Sequence, residues 1–142
     1  MVCGEEPGFL VNRLQYALLS EAYRIVEEGI ASRDDVDKAM RLSLGPRLAL
    51  WGPLFTEDLV VSKKTSAPIW DYLYEKTRDE KFRRPIGVTK FVESGRFGAI
   101  TGEGWYRFDQ DYSSIVLSRD AQLKSLLNWL SQNDCLEEFK AS

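Results

Sequence analysis

An all-α fold follows from three features of the sequence. Residues 9–30 run without proline, and without an internal glycine until Gly29, in a pattern of helical period. Helix start and stop signals then recur along the chain at Ser32, at Gly52-Pro53 and at Ser66. Near the other end, Leu123, Leu126, Leu127 and Leu130 share one face of a last helix.

The first helix is the most informative element. With about 100° per residue and Asn12 as origin, Leu14, Leu18, Ala22, Val26, Leu19 and Tyr16 lie within an arc of roughly 200°. Arg13, Ser20, Arg24, Glu27 and Glu28 fill the remainder. A surface helix needs an apolar stripe only about half as wide, so this helix is expected to be central, packed on two sides, or shared with a second subunit. Asn12 and Gln15 fall inside the arc. Burying an amide without partners costs roughly 1–3 kcal/mol, so Asn12 is either a structural hydrogen-bonder or a substrate contact. For Gln15 a structural or inter-subunit hydrogen bond is expected.

The remaining elements follow in order. Gly29 ends the first helix, and Ser32 with Asp35 resembles a capping box for a second, whose inner side is Val36, Ala39, Met40 and Leu42. Leu44-Gly45-Pro46-Arg47 breaks the chain, and a short apolar element from Leu48 to Trp51 stops at Gly52-Pro53. Residues 54–61 form a further helix. Ser66 caps the next one, with Pro68 in its first turn and Ile69, Trp70, Leu73 and Tyr74 along it. A short helix over 88–93 leads to the loop Ser94-Gly95-Arg96-Phe97-Gly98, and Gly102 to Phe108 reads as a turn and an extended segment. The last helix runs from a cap near Ser118 to about Ser131, within a helical extension over 115–142, and the tail 136–139 adds a turn. One helical domain over 1–142 is expected, without internal repeat or linker.

Composition excludes several kinds of chemistry. The 142 residues include 19 basic and 22 acidic side chains, a net charge of −3. The longest basic runs are the pairs Lys63-Lys64 and Arg83-Arg84, read as solvated helix surface, so no nucleic-acid partner is expected. Histidine is absent, which removes the commonest general base near neutral pH and most zinc sites. Cys3 and Cys135 form neither a metal spacing nor a disulfide framework, and Cys3 reads as an inert thiol, so a cytoplasmic setting is the expectation. No apolar stretch reaches the length of a membrane span. The acidic neighbours Asp34-Asp35, Glu27-Glu28 and Glu137-Glu138 point about 100° apart on a helix and do not converge as a catalytic pair. Trp51, Trp70, Trp105 and Tyr106 read as core or interface rather than as a cofactor cage.

Three spaced pieces carry a family resemblance. The first is Pro7-Gly8-Phe9-Leu10-Val11-Asn12-Arg13-Leu14 with Glu21-Ala22 and Val26-Glu27-Glu28-Gly29; the second is Asp34-Asp35-Val36-Asp37-Lys38-Ala39-Met40 leading to Leu44-Gly45-Pro46 and Gly52-Pro53-Leu54; the third is Gly102-Glu103-Gly104-Trp105-Tyr106. Over residues 6 to about 108 the chain resembles the C-terminal helical domain of the L-3-hydroxyacyl-CoA dehydrogenase family. Pro46-Arg47-Leu48-Ala49-Leu50-Trp51-Gly52-Pro53-Leu54 looks closer to the L-gulonate dehydrogenase (lambda-crystallin) and carnitine dehydrogenase branch.

The resemblance implies a dimerisation and substrate domain built around one long helix, similar to the C-terminal domain of 6-phosphogluconate dehydrogenase. It implies that NAD and a catalytic His–Glu pair belong to a Rossmann domain, of which this sequence has no strand–glycine-loop–helix unit, so no cofactor is expected in this chain. Asn12 is the one catalytic residue carried over, hydrogen-bonding the substrate oxygen and orienting the base. Arg47 either lies on the surface near a helix start or, in the hydroxy-acid branch, grips a substrate carboxylate. The implied partners are a second copy of the chain, a Rossmann domain of the same or another chain, and a 3-hydroxyacyl-CoA or 3-hydroxyacid substrate, the thioester being the broader class. The alternative is a free-standing interaction protein that pairs with itself or with a separately encoded Rossmann subunit. Either way the chain alone is expected to be inactive.

Overall fold

The computed structural model describes residues 9–133 and 135, and every regular element among them is helical. The readings made for Cys3, for Pro7-Gly8, for Glu137-Glu138 and for the tail 136–139 lie outside the described residues. Two isolated bridges, Gly98 to Glu103 and Glu103 to Arg107, are the only extended pairings among them. None of the described helices is long and apolar enough to cross a membrane. The chain divides into two compact units, residues 1–44 and 45–142.

Unit 1 holds α1 (Phe9–Glu27) and α2 (Arg33–Ala39), which pack on one another. Two backbone bonds close α1, Gly29 N–H to the Val26 carbonyl and Ile30 N–H to the Ile25 carbonyl, with Gly29 at φ 68°. This is the paired 5→2 and 6→1 arrangement of a glycine-terminated helix. Ser32 caps α2 as the sequence predicts: its Oγ accepts from Asp35 N–H and donates to Asp35 Oδ2 at 2.6 Å. Val36 and Met40 are half-buried, but Ala39 and Leu42 are exposed. After Ala39 the helix widens into a π-type turn over Met40–Leu44, which carries Leu42 off the face that a regular helix would give it. No described residue of α1 is buried within the chain, so its apolar arc faces outward.

Unit 2 starts with α3 (Gly45–Thr56), which is broken at Gly52. That residue sits at φ 71° and ψ 175°, outside helical space, and Pro53 opens the next helical segment with the fixed φ it favours at a first turn. Thr56 is buried and donates from Oγ1 to the Arg47 carbonyl, closing the two halves on each other. A π-type turn over Glu57–Val61 follows, its width set by the Ser62 N–H bond to the Glu57 carbonyl. Residues 54–61 are thus helical as expected, in two geometries.

The next helix, α4 (Lys63–Thr77), begins earlier than the sequence suggests: Ser62 is the cap, accepting from Lys64 N–H, and Pro68 lies inside the helix. Ser66 is buried and donates to Glu57 Oε1 at 2.7 Å instead. Pro68 removes one backbone donor from α4, a loss that a helix starting beside it would avoid. A 3₁₀ turn over Glu80–Phe82 leads to α5 (Ile86–Glu93), and a second over Ala99–Thr101 precedes the Gly102–Phe108 loop.

The last helix, α6 (Tyr112–Gln132), is also longer than predicted. Asp111 caps it through Ser114, by accepting from both the backbone N–H and the hydroxyl. Its Leu123, Leu126, Leu127 and Leu130 are all half-buried, as their spacing requires. The centre of unit 2 is Leu59, Ala99 and Ile115, with Trp51, Phe55 and Phe108 packed around them. Ala67, Val88 and Phe91 fill the second layer, where α4 meets α5.

Its bonds to Ser114 hold the Asp111 carboxyl below the ordinary 3.8. A lowered carboxyl pKa gives stability that is complete above the unfolded value and disappears as pH falls through the folded one. Replacing Asp111 with Ala is expected to lower the melting temperature at pH 7. The gap from wild type should shrink steadily below pH 3.8, as read by circular dichroism melts across that range.

Candidate functional site

Asn12 lies one turn into α1 with its side chain exposed. Its carboxamide makes no hydrogen bond to another described residue, and neither does that of Gln15. Around it the helix exposes Phe9, Val11, Tyr16 and Tyr23, each more than three-fifths accessible. The amide therefore stands in an apolar surface with both N–H groups and its oxygen available. The sequence-based puzzle of a buried amide does not arise within this chain.

Arg47 belongs to unit 2, in the first turn of α3, and is half-buried. Its carbonyl is held by Thr56, and no ion pair or hydrogen bond engages its guanidinium among the described residues. Four residues on, Trp51 donates from its indole N–H to Gln122 Oε1 of α6 at 3.0 Å. Arg119 of α6 donates to the Leu59 carbonyl at 3.0 Å. Between these elements is a cavity of about 170 Å³, lined by Trp51, Phe55, Phe108, Arg119 and Gln122 among others.

The most strongly buried polar group is one that sequence reasoning missed. Lys63, taken with Lys64 as solvated surface, is fully inaccessible, whereas Lys64 is exposed. The ammonium of Lys63 pairs with Asp58, itself 2% accessible, and lies 3.5 Å from Glu57 Oε2. Its position over the Phe91 ring, 5.0 Å from the centroid, adds a cation–π contact. Burial pushes the Lys63 pKa below the usual lysine range, against the opposing pull of Glu57. The chain reaches this position through Ser62 at φ 67°, a backbone region that costs a non-glycine residue of order 1–3 kcal/mol. The bond from Lys63 N–H to the Phe97 carbonyl helps to hold it there.

The Gly102–Tyr106 signature closes over the same pair. Tyr106 N–H donates to Asp58 Oδ2 at 3.0 Å. A Cβ on Gly104 would stand 2.4 Å from Asp58 Oδ1, and one on Gly98 would stand 2.5 Å from the Asp58 carbonyl oxygen. These two glycines are needed for close approach to Asp58. Trp105 packs edge-on against Phe91 and Tyr106 edge-on against Phe55, with ring centroids 5.0 and 4.8 Å apart.

This geometry bears on the implied dinucleotide. The glycines that could cradle a pyrophosphate are filled by Asp58, and they follow no strand among the described residues. The residues present here do not fit NAD. Nor do the described residues contain a cluster of three or more potential metal ligands.

The family model for the 3-hydroxyacyl-CoA dehydrogenase C-terminal domain matches residues 8–108, and the chain belongs to this family. It is 37% identical over 107 residues to human mitochondrial hydroxyacyl-coenzyme A dehydrogenase, covering 75% of this chain and 33% of that protein. With the rat lambda-crystallin homolog it shares 55% identity over 138 residues, covering 97% of this chain and 39% of the relative. A solved 3-hydroxyacyl-CoA dehydrogenase from Archaeoglobus fulgidus superposes with a TM-score of 0.76 at 34% identity, over 86% of this chain and 42% of that one. The chain thus spans between a third and two-fifths of the curated relatives named here.

Removing one member of a buried ion pair costs about 3–5 kcal/mol, because the other charge stays buried alone. Lys63→Met is expected to destabilise the chain by that order in denaturant unfolding. Adding Asp58→Asn in the same chain should return part of the loss, since the orphaned charge is then gone.

Proposed function

We propose that this chain is the substrate-binding and dimerisation domain of an NAD-dependent L-3-hydroxyacyl-CoA or short 3-hydroxyacid dehydrogenase. NAD and the catalytic base belong to a Rossmann domain of the same or another chain, since the glycines present here close on Asp58. The observation that carries the reading is the exposed apolar face of α1 with the unpaired amide of Asn12 within it, in a chain of this family. An apolar helix face of this length on a soluble domain marks an association surface. Its amide can donate to a substrate oxygen and polarise it.

The occupant of the α1 face in this reading is a second copy of the chain, in a two-fold arrangement that presents the same helix from each side. Arg47 supplies a guanidinium not engaged by other described residues, suited to a carboxylate of a short hydroxy acid.

Two measurements test this. Sedimentation velocity of the purified chain is expected to show a dimer, and Leu14→Glu, on the exposed arc, to give a monomer that still melts cooperatively. A wild-type monomer at micromolar concentration would remove the dimerisation role. In the complete dehydrogenase, Asn12→Ala is expected to lower kcat by about a hundredfold, the scale of one lost donor to a reacting oxygen, with the melting temperature unchanged. The purified chain alone should give no NADH from 3-hydroxybutyryl-CoA; turnover by the chain alone would overturn the assignment.

A further inference from the structure

We propose that Gln122 is a positioning residue: by holding the Trp51 indole, α6 fixes the wall of α3 beside Arg47. The inference rests on the reading of Arg47 as a substrate contact and adds to it the device that keeps the contact in place. Three observations lead to it.

First, Arg47 and Trp51 are four residues apart on one helical stretch, so they lie on one face of α3. A helical side chain covers the turn N-terminal to its own Cα, and for Trp51 that is the turn containing Arg47. Second, the indole is fixed at its polar end. Its N–H donates to Gln122 Oε1 at 3.0 Å, and Trp51 packs against the Leu59, Ala99 and Ile115 cluster. The Arg47 turn is pinned independently by Thr56 through the Arg47 carbonyl, so the backbone and the neighbouring wall are both set before any ligand arrives. Third, α6 begins at Tyr112, past residue 108 where the family match ends, yet it falls within the stretch shared with the rat relative. Besides Gln122, Arg119 ties it to the Leu59 carbonyl in the π-type turn after α3, and the buried Ile115 packs with Leu59. An element outside the common domain thus controls an aromatic side chain next to the candidate contact.

The test is Gln122→Ala in the complete dehydrogenase, assayed with 3-hydroxybutyrate and with 3-hydroxybutyryl-CoA. One neutral hydrogen bond is worth about two- to tenfold. KM for the free carboxylate should rise by that factor, with kcat and the melting temperature unchanged and the thioester little affected. Gln122→Glu keeps an acceptor for the indole N–H and should restore KM. Tryptophan emission of the chain should change in Gln122→Ala, and this change should vanish in a Trp51→Phe background. An unchanged KM in Gln122→Ala overturns the inference. So does a KM rise accompanied by a fall in kcat and in melting temperature that Gln122→Glu does not rescue, since that is a purely structural role. Arg47→Met identifies which claim has failed. If it raises KM while Gln122→Ala does not, the positioning role alone is wrong; if neither variant has an effect, Arg47 is not a substrate contact.

Discussion

A lysine ammonium that reaches no water must find its counter-charge inside the protein, and in unit 2 that requirement organises everything around Lys63. Asp58 supplies the charge and is itself buried, so neither side chain can be satisfied anywhere else. The π-type turn over Glu57–Val61 carries Asp58 and leads into Lys63 at the start of α4. Ser66 and Glu57 extend the polar contacts one turn into that helix. An ion pair of this kind adds little net stability over an apolar replacement, because desolvation offsets most of the attraction. Its effect here is on geometry: the strained Ser62 junction and the early start of α4 both place Lys63 against Asp58.

The glycine-and-aromatic loop follows from the same constraint. A carboxylate has two oxygens, and the one not facing Lys63 accepts from Tyr106 N–H. For that backbone to come so close, the residues passing over Asp58 must lack side chains, which is why glycine stands at 98 and 104. The flanking aromatics then pack on both sides, Trp105 on Phe91 and Tyr106 on Phe55. The glycine-and-aromatic run is therefore a clasp over an internal charge.

Legibility in the sequence was uneven for identifiable reasons. The helical class, the Gly29 and Ser32 boundaries and the leucine face of α6 were all readable, since each depends on periodicity or on contacts between residues a few positions apart. The starts of α4 and α6 were placed too late, at Ser66 and Ser118 rather than Ser62 and Asp111. In the first case Pro68 is a strong local signal that tertiary pairing overrides; in the second, Asp111 followed by Ser113-Ser114 carries a cap signature of its own. Lys63 was misread because burial of a lysine depends on Asp58, Phe91 and the Phe97 carbonyl, and two of these lie some thirty residues away. A Glu-Asp pair followed five residues later by lysine was the one local hint. Periodicity marks Asn12 as a polar residue within the apolar arc, and the family resemblance supplies the roles given to it and to Arg47.

The exposure of α1 is the feature on which the proposed dimer rests. An arc of about 200° cannot be covered by one neighbouring helix, whose contact spans roughly half that width. Along α1 only the stretch near Ala22 and Ile25 is half-buried, while the first three turns keep their apolar side chains in water. Burying a single leucine or phenylalanine is worth about 1.5–3 kcal/mol. A surface carrying Phe9, Leu10, Leu14 and Leu18 together has far more to gain from a partner than a two-helix unit can supply alone. A partner closing on such a face would also exclude water from around Asn12, and an amide in a dry environment polarises an oxygen much more strongly than one in solvent. Under the proposed function, association and substrate activation become one requirement, met by one helix.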